Sequence, residues 1–270
     1  MTKIVSDPVS IEFFTGPRSY HIPVRLARIL PSDKNTILAA EGLLELEEDN
    51  HYIEFKARTK QKDPFCAKKE CEDEIDKIIT MLSMIYKPDI FDKVIYSGWL
   101  SENNKFMIDT CFKVTDPILV NEDNLSENLK TIKRKHNKDI DINNRFRLMS
   151  RFYSKALQTD LLTEEKFIWL WTILEIFPMK NTTNIKPIID YLSEIIDREA
   201  TNVKDKLNIG KLYAVRCDLV HDGKFINEGL DINDMFKSYG GLFDKLENIV
   251  YEILRGMCGL EYSGSLEKYF

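Results

Sequence analysis

The hydrophobic pattern of this chain changes from the period of a strand to the period of a helix near its middle. Up to about residue 118, short apolar runs are separated by Gly, Pro, Asn and Asp, and residues 51–60 alternate between polar and apolar side chains. A period of two is typical of a half-buried strand. Residues 72–86 differ, because their isoleucine and leucine side chains fall on one face of a helix. We therefore predict an antiparallel sheet with at least one helix in residues 1–118.

The second half of the chain has helical spacing throughout. The sequence predicts five helices with short links, at residues 144–157, 163–177, 187–196, 209–221 and 231–257. Helices joined by short links favour a bundle. The polar segment 119–142, rich in Asn and Asp, is interpreted as a linker. The predicted fold class is thus α+β, with an N-terminal domain (1–118) for sensing or targeting and an all-helical domain (143–270).

Composition narrows the class of protein further. The chain has 270 residues, of which 43% are hydrophobic, as in soluble proteins that build a real core. No apolar run reaches the roughly 18 residues needed to cross a bilayer, and the N-terminus lacks the features of a signal peptide. The five cysteines have no repeated spacing and suit free thiols in a reducing cytosol. We therefore expect a cytoplasmic protein without membrane contact.

Positive charge is concentrated in residues 130–155. This segment has a net charge of +7, whereas the rest of the chain carries −13 and the whole chain −6. Such asymmetry can mark a docking surface for a polyanion. The candidates to contact it are Lys133, Arg134, Arg145, Arg147 and Arg151. A solvated linker and an ordinary helix face are the alternative interpretation.

Arg216 occupies an unusual position in the predicted helix 209–221. It falls in the middle of the apolar face, where a guanidinium is costly unless it is paired. The apolar segment 167–177 contains a single charge, Glu175. We therefore predict that Glu175 and Arg216 meet in the interior of the bundle.

His221 lies about 140° around the same helix from Arg216 and one turn from its predicted end. Solvent or a partner can reach this position, and a helix C-terminus favours an imidazolium. An anchored arginine beside a titratable histidine suits phosphodiester chemistry, since one group binds the phosphate and the other moves protons. The alternative is structural: an ion pair that fixes packing and a histidine that caps a helix.

Two stretches of the chain resemble a known family. Residues 211–223, Lys-Leu-Tyr-Ala-Val-Arg-Cys-Asp-Leu-Val-His-Asp-Gly, are similar to the signature helix of the HEPN superfamily, and most of all to its ApeA-like branch, where Leu-Tyr-x-x-Arg-x-x-Leu-Val-His-x-Gly is typical. Residues 171–175, Trp-Thr-Ile-Leu-Glu, resemble the apolar helix of that branch with its embedded acid. The resemblance covers residues 143–258 or so and does not extend to the N-terminal half.

The resemblance implies a helical bundle that dimerises and cleaves RNA without a metal ion or cofactor. His221 would activate a ribose 2′-OH or protonate the leaving oxygen, and Arg216 would neutralise the scissile phosphate. The products would be a 2′,3′-cyclic phosphate and a 5′-hydroxyl. Tyr213 and Lys211 are weaker candidates for contacting the substrate.

One position departs from the pattern of the family. Many active members carry Asn, Asp or His directly after the arginine, whereas this chain has Cys217, with its acid one position later at Asp218. The superfamily also contains members that cleave nothing. Our first hypothesis is a homodimeric HEPN-type ribonuclease that acts in defence or stress, and that a regulatory protein partner controls. The alternative is a non-catalytic module that binds RNA, nucleotide or a protein partner.

Other candidate sites are weaker. Cys66 and Cys71 lack a second Cys/His pair at zinc spacing, so we predict no metal site. His136 is isolated, and we expect it at an ordinary surface or strand position. Trp171 is expected to pack in a core.

Overall fold

The computed structural model describes eleven segments of the chain. They are residues 2–5, 10–17, 21–29, 37–45, 51–86, 91–102, 105–114, 122–157, 163–180, 182–222 and 232–270. The chain divides into two compact units. The first comprises Met1–Ser126 with Leu157–Thr159, and the second comprises Glu127–Ala156 with Asp160–Phe270.

The first unit contains seven strands and a long helix. The strands are β1 (Thr2–Val5), β2 (Ser10–Pro17), β3 (His21–Ile29), β4 (Ile37–Glu45), β5 (His51–Thr59), β6 (Phe91–Glu102) and β7 (Lys105–Val114). Their backbones pair antiparallel in the order β1-β2-β5-β7-β6, and β3 pairs with β4. Helix α1 (Pro64–Ile85) begins eight residues earlier than predicted, because the Asp63 carboxylate caps it by accepting a hydrogen bond from the Cys66 N–H at 2.7 Å.

The predicted fold class, α+β, is wrong for the part of the chain whose side chains the structure describes. Helix accounts for 76% of these residues, which include one short strand and form no sheet by themselves. That strand is β5, where Ile53, Phe55 and Ala57 are buried. The chain is therefore mostly helical as described. One physical reason is that the polar segment expected to be a linker is itself helical.

Seven helices follow in the described residues beyond the first unit's strands. They are α2 (Glu122–Lys138), α3 (Ile140–Ala156), α4 (Thr163–Ile176), α5 (Lys186–Ile196), α6 (Ala200–Lys206), α7 (Ile209–Asp222) and α8 (Ile232–Cys258). A short 3-10 helix, Glu267–Tyr269, comes after them. The five predicted helices match α3, α4, α5, α7 and α8, and α6 was not predicted. None of the helices that the structure describes is long and apolar enough to cross a membrane.

Helix α2 replaces most of the predicted linker 119–142. Sequence patterning missed it because its 17 residues contain only three large apolar side chains. Ile132 and His136 are one turn apart, and both are buried. The His136 ring lies 4.5 Å from the Phe146 ring of α3, measured between centroids. His136 is therefore a buried helical residue, and the expected surface or strand position is wrong.

The core of the second unit lies among α3, α4 and α8. Its buried side chains include Phe146, Met149, Leu170, Trp171, Leu174, Leu246, Ile249, Val250 and Ile253. Helix α7 packs against α4 and α6. Its buried residues are Ile209 and Leu212, and from position 213 to 221 every side chain is at least partly exposed. The part of α7 that carries Arg216 and His221 thus lies at the surface.

A buried carboxylate fixes the segment that follows α8. Glu252 is only 1% exposed and accepts hydrogen bonds from Ser263 and Ser265. Both backbone N–H groups lie 3.2 Å from its oxygens, and both hydroxyls donate as well. Burial also raises the pKa of the neighbouring Tyr262 to about 12. Four donors offset the cost of burying this charge.

We expect Glu252→Ala to lower the free energy of unfolding by about 1–3 kcal/mol, because it removes the acceptor that two N–H and two O–H donors of Ser263 and Ser265 share. Urea unfolding monitored by circular dichroism measures the change. Glu261→Ala is the matched control, since Glu261 is exposed. Equal destabilisation by the two variants would refute the role given to Glu252.

Candidate functional site

Glu175 of α4 and Arg216 of α7 form an ion pair. The Nε and Nη2 atoms of Arg216 lie 2.9 Å and 2.8 Å from Oε1 of Glu175. The predicted contact between these residues is confirmed. The predicted burial of the pair is wrong, because the side chain of Arg216 remains 24% exposed and that of Glu175 remains 31% exposed. Water, or a ligand, can therefore reach the pair.

Trp171 binds the same carboxylate oxygen. Its indole N–H donates to Oε1 of Glu175 at 3.1 Å. The tryptophan is buried, and its ring contacts those of Phe167 and Tyr213 at centroid distances of 6.4 Å and 6.0 Å. Three donors thus converge on one oxygen, and a rigid ring holds the acid that holds Arg216. The sequence predicts only a packing role for Trp171, although the i, i+4 spacing of Trp171 and Glu175 on a helix is the signal for this bond.

Tyr213 and Cys217 lie one turn apart on α7, on either side of Arg216 in sequence. A side-chain hydrogen bond with Cys217 raises the pKa of Tyr213 above its ordinary value, and the charge of Arg216 acts in the opposite direction. The phenol of Tyr213 and the thiol of Cys217 are therefore hydrogen-bonded to each other beside Arg216. Cys217 is a half-exposed free thiol.

The remaining predicted residues of α7 are at the surface. Lys211, Asp218 and His221 are all exposed, and His221 lies in the last turn of the helix. Arg216 and His221 are five residues apart, which is about 7.5 Å along the axis and 140° around it. Within one chain, the two side chains therefore lie on different faces of α7.

The predicted cations are half-buried on α3 and exposed on α2. Arg145 bonds Asp141 through Nε at 2.8 Å and donates from Nη1 to the carbonyl of Ile176 at 2.9 Å. It therefore ties α3 to the C-terminal end of α4. Arg147 and Arg151 are half-buried on α3, whereas Lys133 and Arg134 are exposed on α2.

The described residues contain no group of three or more His, Cys, Asp or Glu side chains that could hold a metal ion. Cys66 is exposed and Cys71 is buried, although both belong to α1. Burial raises the pKa of Cys71 to about 12. The α4–α7 site brings together the fixed guanidinium of Arg216, the Tyr213 phenol and the Cys217 thiol, whereas the His221 imidazole is exposed on another face of α7.

No protein-family model matches this chain, and no curated protein and no solved structure matches it either.

Proposed function

We propose that the helical unit is a metal-independent endoribonuclease of the HEPN type. The observation that carries the proposal is the anchoring of Arg216. Glu175 holds the guanidinium through Nε and Nη2, while Nη1 has no hydrogen-bond partner among the residues that the structure describes. A guanidinium fixed along one edge presents its remaining N–H groups to a phosphate in a defined direction.

In the proposed reaction, a ribose 2′-OH attacks the adjacent phosphorus. The bond between the 2′ oxygen and phosphorus forms, and the bond between phosphorus and the 5′ oxygen breaks. His221 takes the proton from the 2′-OH or gives one to the leaving 5′ oxygen, and water exchanges the other proton, so that no net proton is gained or lost. Arg216 neutralises the charge that develops on the phosphate. Tyr213 donates a hydrogen bond beside Arg216, and Lys211 and Asp218 are exposed on the side of α7 that carries His221, where Lys211 would contact the substrate and Asp218 would support the site.

We propose a homodimer through the helical unit, with α7 at its interface. Within one chain, His221 and Arg216 lie on different faces of α7. In a dimer, the α7 of the second chain would bring its His221 imidazole to the face that carries Arg216. Val220 beside His221 is 50% exposed, and Val215 and Leu219 are half-exposed. A second copy would remove these apolar side chains from water. The cytoplasmic location, the regulatory partner and the role in defence or stress stay predictions from the sequence.

The reaction class is tested with end-labelled RNA in EDTA. We expect the wild type to produce fragments with 2′,3′-cyclic phosphate and 5′-hydroxyl ends, because the attacking group is the 2′-OH of the substrate and no metal ion takes part. An oligonucleotide with a single 2′-deoxyribose at the cleaved position is the matched substrate and should resist cleavage there. Fragments with 3′-hydroxyl ends, or the absence of cleavage, would refute the proposal.

A second function is favoured by one observation: Glu175 already neutralises Arg216. Such a pair also suits a non-catalytic module in which α4 and α7 are clamped together and the surface binds RNA, nucleotide or a protein partner. The two functions differ in the outcome of the cleavage assay. A chain that binds RNA in EDTA and leaves it intact supports the second.

A further inference from the structure

Helix α2 presents a row of cations on the side that faces away from the core. Lys130, Arg134 and Lys138 follow one another at intervals of four residues, and all three are exposed. We call them the cationic face of α2. The opposite side of the helix carries Ile132 and His136, which are buried. Neighbouring members of the row are about 6 Å apart along the axis, and the row is about 12 Å long.

The charges of this face are not neutralised within the described part of the chain. None of the ion pairs found there involves Lys130, Arg134 or Lys138. Lys135 differs, because it donates to the carbonyl of Gly256 at 2.8 Å and so ties α2 to α8. Like charges at i, i+4 destabilise a helix. Repulsion along the row therefore lowers the stability of the helix, and a bound polyanion would remove this repulsion.

We propose that the cationic face of α2 binds the phosphodiester backbone of a nucleic acid. A protein partner would require an apolar or aromatic centre, and a membrane surface would require an exposed apolar face. The described part of α2 has three large apolar side chains, of which Leu125 and Ile132 are buried and Leu129 is half-buried, so that none is fully exposed. A phosphodiester backbone needs only regularly spaced positive charge and hydrogen-bond donors. This binding goes beyond the proposed cleavage and does not depend on Arg216 or His221.

Fluorescence anisotropy with a labelled 2′-O-methyl RNA oligonucleotide tests the binding separately from the cleavage, since this probe has no free 2′-OH. The test variant of the full chain combines Lys130→Ala, Arg134→Ala and Lys138→Ala. We expect its Kd to rise roughly tenfold to a hundredfold near 0.1 M salt. The slope of log K against log salt should fall in magnitude by about 2, because three phosphate contacts are lost.

The matched control combines Lys180→Ala, Lys186→Ala and Lys204→Ala. These three lysines are exposed, and their removal changes the net charge by the same amount. We expect the control to bind like the wild type. Equal weakening in the two triple variants would overturn the proposal, because it would show an effect of net charge alone. Alanine favours helix, and far-ultraviolet circular dichroism confirms that both variants are folded.

Two further probes decide the class of partner. DNA of the same sequence should bind with an affinity close to that of the RNA probe, because the contacts are made to phosphates. Polyglutamate should bind more weakly than either. Tighter binding of polyglutamate would assign the face to an acidic protein, and no binding of any oligonucleotide would also overturn the proposal. If the chain binds unmodified RNA in EDTA and does not cleave it, the proposed ribonuclease is refuted and the binding by the cationic face of α2 is unaffected.

Discussion

Removal of the His221 imidazole is expected to lower the rate of RNA cleavage by roughly 10²–10⁴-fold, which is the contribution of a general acid or base. The same substitution, His221→Ala, should change the free energy of unfolding by less than about 1 kcal/mol, because the side chain is exposed in the last turn of α7. Single-turnover cleavage of labelled RNA in EDTA and urea unfolding measure the two effects.

His221→Gln is the control that separates proton transfer from binding. Glutamine keeps a hydrogen-bonding side chain at the end of α7 but does not transfer protons near neutral pH. We therefore expect the Gln variant to cleave as slowly as the Ala variant. Wild-type rates in the Gln variant would rule out His221 as the group that moves the proton, and wild-type rates in both variants would refute the proposed ribonuclease.

Trp171→Ala is expected to lower the free energy of unfolding by about 3–5 kcal/mol, because it leaves a large cavity in the core of the helical unit. Trp171→Phe should cost much less, since a phenyl ring keeps the contacts with Phe167 and Tyr213. The Phe variant nevertheless removes the N–H that holds Glu175. We expect it to slow RNA cleavage several-fold more than its small loss of stability explains, because Arg216 is then less well fixed.

Trp169→Phe is the matched substitution for this experiment. Trp169 is half-exposed and stacks on Phe152 at a centroid distance of 5.4 Å, so its replacement leaves the Glu175 carboxylate untouched. We expect wild-type cleavage in this control. If both Phe variants cleave at the wild-type rate, Trp171 serves packing alone.

The predictable part of the fold is the part whose apolar residues repeat at helical spacing. Helices α4, α5 and α7 were predicted to within about a residue, because Thr163, Pro187 and Ile209 lie where their patterns begin. Helix α2 was missed because its buried face contains a histidine, which does not contribute to a hydrophobic pattern. The predicted fold class, α+β, was wrong for a related reason, because a helix made mainly of polar residues has the sequence pattern of a linker.

The candidate site shows the same division. A lone acid in an apolar helix and an arginine in an apolar arc were sufficient to pair Glu175 with Arg216. Their depth was not predictable, because helical spacing gives the direction of a side chain and not what covers it. The Trp171 bond and the Arg145 bridge to α4 were missed for another reason. Both depend on which donor reaches a particular oxygen, and this requires coordinates.

The single carboxylate oxygen shared by α4 and α7 also restricts the order in which mutations can accumulate during evolution. Loss of Glu175 first leaves two donor groups, the Arg216 guanidinium with its two N–H contacts and the Trp171 indole, without their acceptor. Loss of Arg216 first leaves a carboxylate that keeps the indole N–H and still reaches water. The second order leaves fewer polar groups without a hydrogen-bond partner and therefore costs less free energy of unfolding. Lineages that abandon the arginine should therefore retain the glutamate longer than lineages that lose the glutamate retain the arginine.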